Sequence, residues 1–171
     1  RAVNEAIREL FSQGETGNSQ KSAVVNWGVL GTAGIAMKQV IPGMKRTEDC
    51  CLLAIAGRNP EKVEKYRKQF GFERAYSSYD ALLEDPEVQA VYIPLPNSLH
   101  YAWTMKALKK GKHVLCEKPL APTAQQAEEM VRTARENGVL LMEAFAYLHS
   151  PLIHAVREEL RSGAIGEPVY M

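Results

Sequence analysis

The sequence predicts an α/β fold built on a doubly wound parallel sheet, and three observations carry that expectation. Short apolar runs alternate along the chain with amphipathic stretches of about 10 to 15 residues, the rhythm of strand, crossover helix and parallel strand. Two of the runs, Val91-Tyr92-Ile93 and Val114-Leu115-Cys116, are continuously apolar, as in strands buried on both faces. A third run, Val24 to Leu30, feeds a glycine-containing turn and then a helical stretch.

Composition sets the frame. A chain of 171 residues with 46% hydrophobic and 24% charged side chains is that of a globular protein large enough to bury a core. Lys and Arg number 21 against 20 Asp and Glu, so no general affinity for nucleic acid or anionic membrane is expected. Three cysteines, Cys50, Cys51 and Cys116, form neither a disulfide framework nor a metal-ligand spacing, and read as small hydrophobes of a reducing compartment. His100, His113, His149 and His154 lack ligand spacing, so no metal site is expected. Without a signal-peptide core or an apolar run of about 18 residues, a cytoplasmic protein is expected. The chain begins without Met, which leaves room for a removed targeting segment.

Residues Ala2 to Phe11 place Val3, Ala6, Ile7, Leu10 and Phe11 at helical spacing, and Ser12 to Ser22 is polar. Residues 1–22 are therefore expected to be a helix and linker, either packed on the chain's own domain or serving as an arm onto a partner subunit. After Val24 to Leu30 comes Gly31-Thr32-Ala33-Gly34-Ile35-Ala36, a G-x-A-x-x-A turn. A strand entering such a turn at a helix amino terminus can cradle a pyrophosphate, because free backbone N–H groups and the helix dipole point at the anion. Gly31 makes the tight turn, Ala36 permits close packing, and Gly34 restores room that Ala33 removes. Taken by itself the pattern serves a nucleotide site or an ordinary strand-turn-helix equally well.

Cys50 to Ala56 is the second strand and ends in Gly57-Arg58-Asn59-Pro60, with no acidic residue to bind ribose hydroxyls. Arg58 stands where a 2′-phosphate would be met, which favours NADP over NAD, the alternative being an arginine paired with surface carboxylates. Pro60 to Phe70 is a helix closed by Gly71, Ser77 to Glu84 a shorter one with Leu82 and Leu83 inward, and Val88 to Ile93 the next strand. Pro94-Leu95-Pro96 stops it, and Asn97 or Ser98 is expected to cap a helix reaching Lys110. His100, in the first turn, is either structural or in contact with cofactor or substrate. The strand His113 to Cys116 delivers Glu117-Lys118-Pro119 to its carboxyl end, where open α/β sheets bind ligands; Lys118 is either chemical or merely solvated. Thr123 with Gln126 predicts a capping box for a helix to Asn137, Val139 to Glu143 another strand, and Ser150-Pro151 the start of a helix ending near Gly163. Glu167 to Met171 reads as the start of a strand. A chain ending inside such a segment suggests that a following domain is missing, and the element boundaries divide the chain into 1–22, 23–148 and 149–171.

Three segments resemble the Gfo/Idh/MocA family of NAD(P)-dependent oxidoreductases: Trp27 to Ala36, Pro94 to His100, and Gly111 to Ala121 with its Glu-Lys-Pro. Met142 to Tyr147 is similar to the branch of dihydrodiol dehydrogenases and NADP-dependent D-xylose dehydrogenases. The resemblance implies that 23–148 is a Rossmann-type dinucleotide-binding domain for NAD(P) and that 149–171 leads into an α+β substrate domain missing from this chain. It implies that Gly31, Thr32, Ala33, Gly34 and Ile35 hold the pyrophosphate and that Arg58 meets the adenosine ribose or its phosphate. Pro94, Asn97 and His100 would line the nicotinamide side, with Glu117 supporting the nicotinamide or orienting Lys118. Lys118 would polarise or deprotonate the reacting oxygen. The implied substrate is a sugar, polyol or cyclic diol, the implied cofactor NADP with NAD possible, and the expected assembly a homo-oligomer. Tyr147-Leu148-His149-Ser150-Pro151 departs from the family's Tyr-Arg-x-x-Pro, and its downstream D-x-x-x-H does not occur in these residues. The other reading is a non-catalytic NADP(H)-binding or assembly module.

Overall fold

The computed structural model describes residues 24–167 and 169. The expected helix and linker in residues 1–22 lie outside them. Six parallel strands form one sheet: β1 (Val25–Leu30), β2 (Cys50–Ala56), β3 (Arg74–Tyr76), β4 (Ala90–Ile93), β5 (His113–Cys116) and β6 (Leu141–Glu143). Their spatial order is β3-β2-β1-β4-β5-β6. The chain moves outward from β1 to β3 and returns to place β4 on the other side of β1, so the order reverses between β1 and β4. The doubly wound expectation therefore holds, and this reversal opens a crevice at the strands' carboxyl ends.

The helices explain why the inner strands read as continuous apolar runs. The π-type turn α1 (Ala36–Val40) leads directly into α2 (Ile41–Met44), and α3 (Pro60–Phe70) follows β2. Ala36, Met37, Ile41 and Val63 from these helices pack with Val29, Ile55 and Tyr92 on one sheet face. On the other face α4 (Tyr79–Glu84), α5 (Asn97–Lys109) and α6 (Ala124–Glu136) bring Leu82, Leu108 and Met130 against Ala54, Val91, Ile93 and Val114. Successive residues of β4 thus enter opposite cores, and neither face is left to water. A 3₁₀ turn, Ala146–His149, and α7 (Pro151–Ser162) complete the order.

Several boundaries differ from the sequence-based expectation. Strand β3, which pairs only with β2, was not expected. Neither Asn97 nor Ser98 caps α5: the capping position is Pro96, extended at φ −56 and ψ 143, and its carbonyl accepts from Leu99 N at 2.8 Å. Half of the Thr123–Gln126 capping box forms, with Thr123 Oγ1 accepting from Gln126 N at 3.3 Å, while Gln126 Oε1 is buried without a partner. Of the expected strand from Glu167 onward, Glu167 and Val169 are described and neither is in a strand. The π spacing of α1 immediately precedes Pro42, whose ring would crowd the carbonyl four residues back in a regular helix.

Candidate active site

The carboxyl edge of the sheet is stitched together loop by loop. At the end of β1, Gly31 adopts φ +110 and donates its N–H to Ala56 O at 2.7 Å, tying the first turn to β2. A Cβ there would lie 3.0 Å from the Leu95 side chain, so this glycine is required both for its backbone conformation and for the close passage of the loop after β4. Met37 N donates to Ala33 O at 3.2 Å, which starts the helix at Ala33 and leaves the amides of Gly34, Ile35 and Ala36 as its free first-turn donors. Gly34 is exposed, and a Cβ built on it would meet nothing within 4 Å. The helix start thus opens on free space, which suits a bound diphosphate.

Gly57, after β2, approaches the same turn: a Cβ there would sit 2.8 Å from Val63 Cγ2 and 3.4 Å from Thr32 Cγ2. Arg58 follows, exposed, and among the described residues it forms no ion pair, so the carboxylate-paired alternative is not what the fold adopts. Asn59 caps α3, accepting from Lys62 N at 2.9 Å.

Four side chains organise the loops after β4 and β5. His100 has no accessible surface; its Nε2 lies 2.7 Å from Leu95 O and its Nδ1 2.7 Å from Pro119 O. The expected contact of His100 with nucleotide or substrate is therefore absent, since the ring is spent on bridging two loops. Tyr92, fully buried in β4, donates its hydroxyl to Glu117 Oε1 at 2.7 Å. Burial and then the Glu117 carboxylate push the Tyr92 phenol up, so it remains a donor. Glu143 Oε1, from the end of β6, accepts from Leu120 N at 2.7 Å. Glu117 N also donates to Ile93 O at 3.2 Å, and the Lys118–Pro119 peptide is cis. Between these fixed points Lys118 is exposed, and its Nζ has no hydrogen bond or ion pair among the described residues.

Of the remaining sequence-predicted residues, Pro94 is buried in the wall after β4, whereas Asn97 is exposed at the start of α5. The thiols offer no nucleophile: burial raises Cys50 and Cys116 to about 12 each, and Cys51 also rises through burial. Among the described residues no cluster of His, Cys, Asp or Glu could hold a metal ion, and no helix is long and apolar enough to cross a membrane.

Chemically, the edge offers free helix-terminal amides at one end and an unpaired amine on a tethered turn at the other. Residues 25–145 match the family described as an oxidoreductase family with an NAD-binding Rossmann fold. The chain belongs to the Gfo/Idh/MocA oxidoreductase family. Within this family it is 41% identical, over 88% of its length and 45% of the relative's, to a dTDP-3,4-didehydro-2,6-dideoxy-alpha-D-glucose 3-reductase of Actinomadura kijaniata. It is 43% identical to a D-xylose 1-dehydrogenase (NADP(+)) of Haloferax volcanii, covering 80% of this chain and 42% of that one. Its structure resembles that of a 3-ketoreductase from A. kijaniata in complex with NADP and TDP-benzene, with a TM-score of 0.80 and 42% identity over 84% of this chain and 44% of the other. The chain spans less than half the length of these relatives.

Lys118, Glu117 and the glycine turn were expected at this edge from sequence, but Tyr92 as the partner of Glu117 and Glu143 as the partner of the Leu120 amide were not. Glu143 was visible only as a polar residue ending an apolar strand.

Proposed function

We propose that this Gfo/Idh/MocA chain is the nucleotide-binding half of an NADP-dependent oxidoreductase acting on a sugar, polyol or cyclic diol. The observation that carries the proposal is the carboxyl edge itself, where the β1 turn, the loop after β4 and the Lys118 turn meet through Gly31–Leu95 and His100. The amides of the exposed residues Gly34 and Ile35 fit a diphosphate, and unpaired Arg58 fits a 2′-phosphate. The preference for NADP is further supported by the 3-ketoreductase complex with NADP and by the NADP(+) in the name of the xylose dehydrogenase.

When bound, the nicotinamide supplies or accepts the hydride. The chain's own contribution is at Lys118. As a cation its Nζ stabilises negative charge on the reacting oxygen and gives it a proton in the reductive direction, leaving the neutral amine; in the oxidative direction the neutral amine takes the hydroxyl proton and becomes the cation. Glu117, anchored by Tyr92, fixes the strand end from which that amine projects. The proposed division at residue 148 is supported by α7, which has no buried residue and presents Leu152 and Val156 at 69% and 45% exposure. Such a face suits further polypeptide or a second subunit, and the uncrosslinked cysteines suit the cytoplasm.

The test is Lys118→Ala in the full-length oxidoreductase. Turnover should fall by roughly 10²- to 10⁴-fold while the dissociation constant for NADPH barely changes. Turnover equal to that of the parent enzyme would remove Lys118 from the chemistry.

A further inference from the structure

The backbone flanking Lys118 is held from both sides by side chains that nothing else in the site employs. Parallel pairing sets Cys116 beside Glu143, and Ala144 N donates to Cys116 O at 2.8 Å. The end of β6 is thereby locked alongside the strand that delivers the lysine. From that locked position the Glu143 carboxylate reaches past β5 and accepts the Leu120 amide at 2.7 Å, two residues beyond Lys118. An amide donating to a carboxylate is a charge-assisted bond, stronger than one to a neutral acceptor. On the opposite side His100, without accessible surface on α5, meets the Pro119 carbonyl at 2.7 Å while its other nitrogen meets the Leu95 carbonyl. A neutral imidazole owns one N–H and an imidazolium two, so in either form the ring donates to one of these loops at least.

We propose that Glu143 is a positioning residue for the reaction: with His100 as the opposing clamp, it fixes the turn after β5 so that the Lys118 amine stands at the reacting oxygen. The proposal rests on the assignment of Lys118 made above. Its physical basis is that proton transfer requires the donor within hydrogen-bond reach, so a loosened turn lowers turnover without changing how the nucleotide binds at the other end of the crevice.

The experiment is a double-mutant cycle in the full-length enzyme joined to amide exchange at Leu120. Glu143→Ala should lower kcat on the order of 10- to 100-fold, the range expected for one charge-assisted hydrogen bond, and leave NADPH affinity unchanged. Glu143→Gln, whose amide oxygen can still accept from Leu120 N, should recover most of that loss. Glu143→Asp, one methylene shorter, should not, and it serves as the second variant should alanine prevent folding. In the Lys118→Ala background Glu143→Ala should cost nothing further, because the residue acts only through the lysine. An equal loss in both backgrounds overturns the proposal, as does full turnover in Glu143→Ala. If Lys118→Ala alone turns over normally, the assignment of the lysine fails and the positioning role falls with it. The tether is read separately: the Leu120 amide should exchange slowly in the parent and fast in Glu143→Ala, and equal rates would show that the tether does not exist.

Discussion

Two lysines at opposite ends of β5 show how engagement differs between a structural and a candidate chemical residue. Lys112, buried beneath the sheet's amino edge, donates its Nζ to Asp85 O and Val88 O at 2.7 Å each, and burial pushes its ammonium down. Lys118, a few residues later on the other side of the same strand, is exposed and unpaired among the described residues. Asp85 shows the engaged extreme. Burial opposes its charge, but Arg74 Nη1 at 2.8 Å, the Tyr76 hydroxyl at 2.8 Å and Glu87 N at 3.0 Å together hold its carboxyl below the usual range. A carboxyl depressed in the folded state contributes stability that is complete above its unfolded value of about 4 and is lost as the pH falls through the folded value. Asp85→Asn should therefore lower unfolding free energy at neutral pH by about 1–3 kcal/mol, and the gap from the parent should narrow as the pH falls below the unfolded carboxyl value of about 4. Urea titrations at several pH values measure this; a gap independent of pH would mean that the Asp85 charge contributes nothing.

At the scale of elements, close approach between strand and helix sets the geometry of the crevice. A Cβ on Gly28, in the middle of β1, would lie 2.6 Å from Leu82 Cδ2 and 3.1 Å from Val88 Cγ1, and Leu82 is itself fully buried. Gly28→Ala should cost about 1–3 kcal/mol by overpacking β1 against α4. Thermal unfolding checks it, and an unchanged midpoint would show that α4 moves away freely. Long elements with a period of their own were readable from sequence: α3 with Pro60 at its start and Gly71 at φ +78 after its end, and α6 from Thr123 to Gly138. Strand β3 was not, because Arg74–Tyr76 is three residues long, on the edge, and too short to show alternation. The start of α5 was misread because Asn and Ser follow Pro96, whose own extended backbone already turns the chain into the helix.

For the molecule as a whole, the edge that carries the candidate site was legible in the sequence, and the tethers that build it were not. Alternating elements predict a parallel, doubly wound sheet, and such sheets bind ligands at their carboxyl edge, so the glycine turn, Arg58 and Lys118 could be placed there from sequence, while the order that reverses beside β1 is known from the structure alone. The tethers could not: Tyr92 to Glu117, His100 to Pro119 and Leu120 to Glu143 join residues 25, 19 and 23 positions apart across neighbouring elements. Only the assembled sheet brings them together. That same non-locality put His100 behind the crevice although its helix begins on the rim. The β1 turn and Arg58 are proposed to form one end of an NADP site. A fluorescence titration of the protein with NADPH and with NADH, repeated on Arg58→Ala, tests it most directly. Saturable binding with NADPH the tighter ligand, and a loss on the order of tenfold in Arg58→Ala for NADPH alone, is the predicted result. Equal weakening of both nucleotides would contradict the role given to Arg58, and no saturable binding of either would contradict the site.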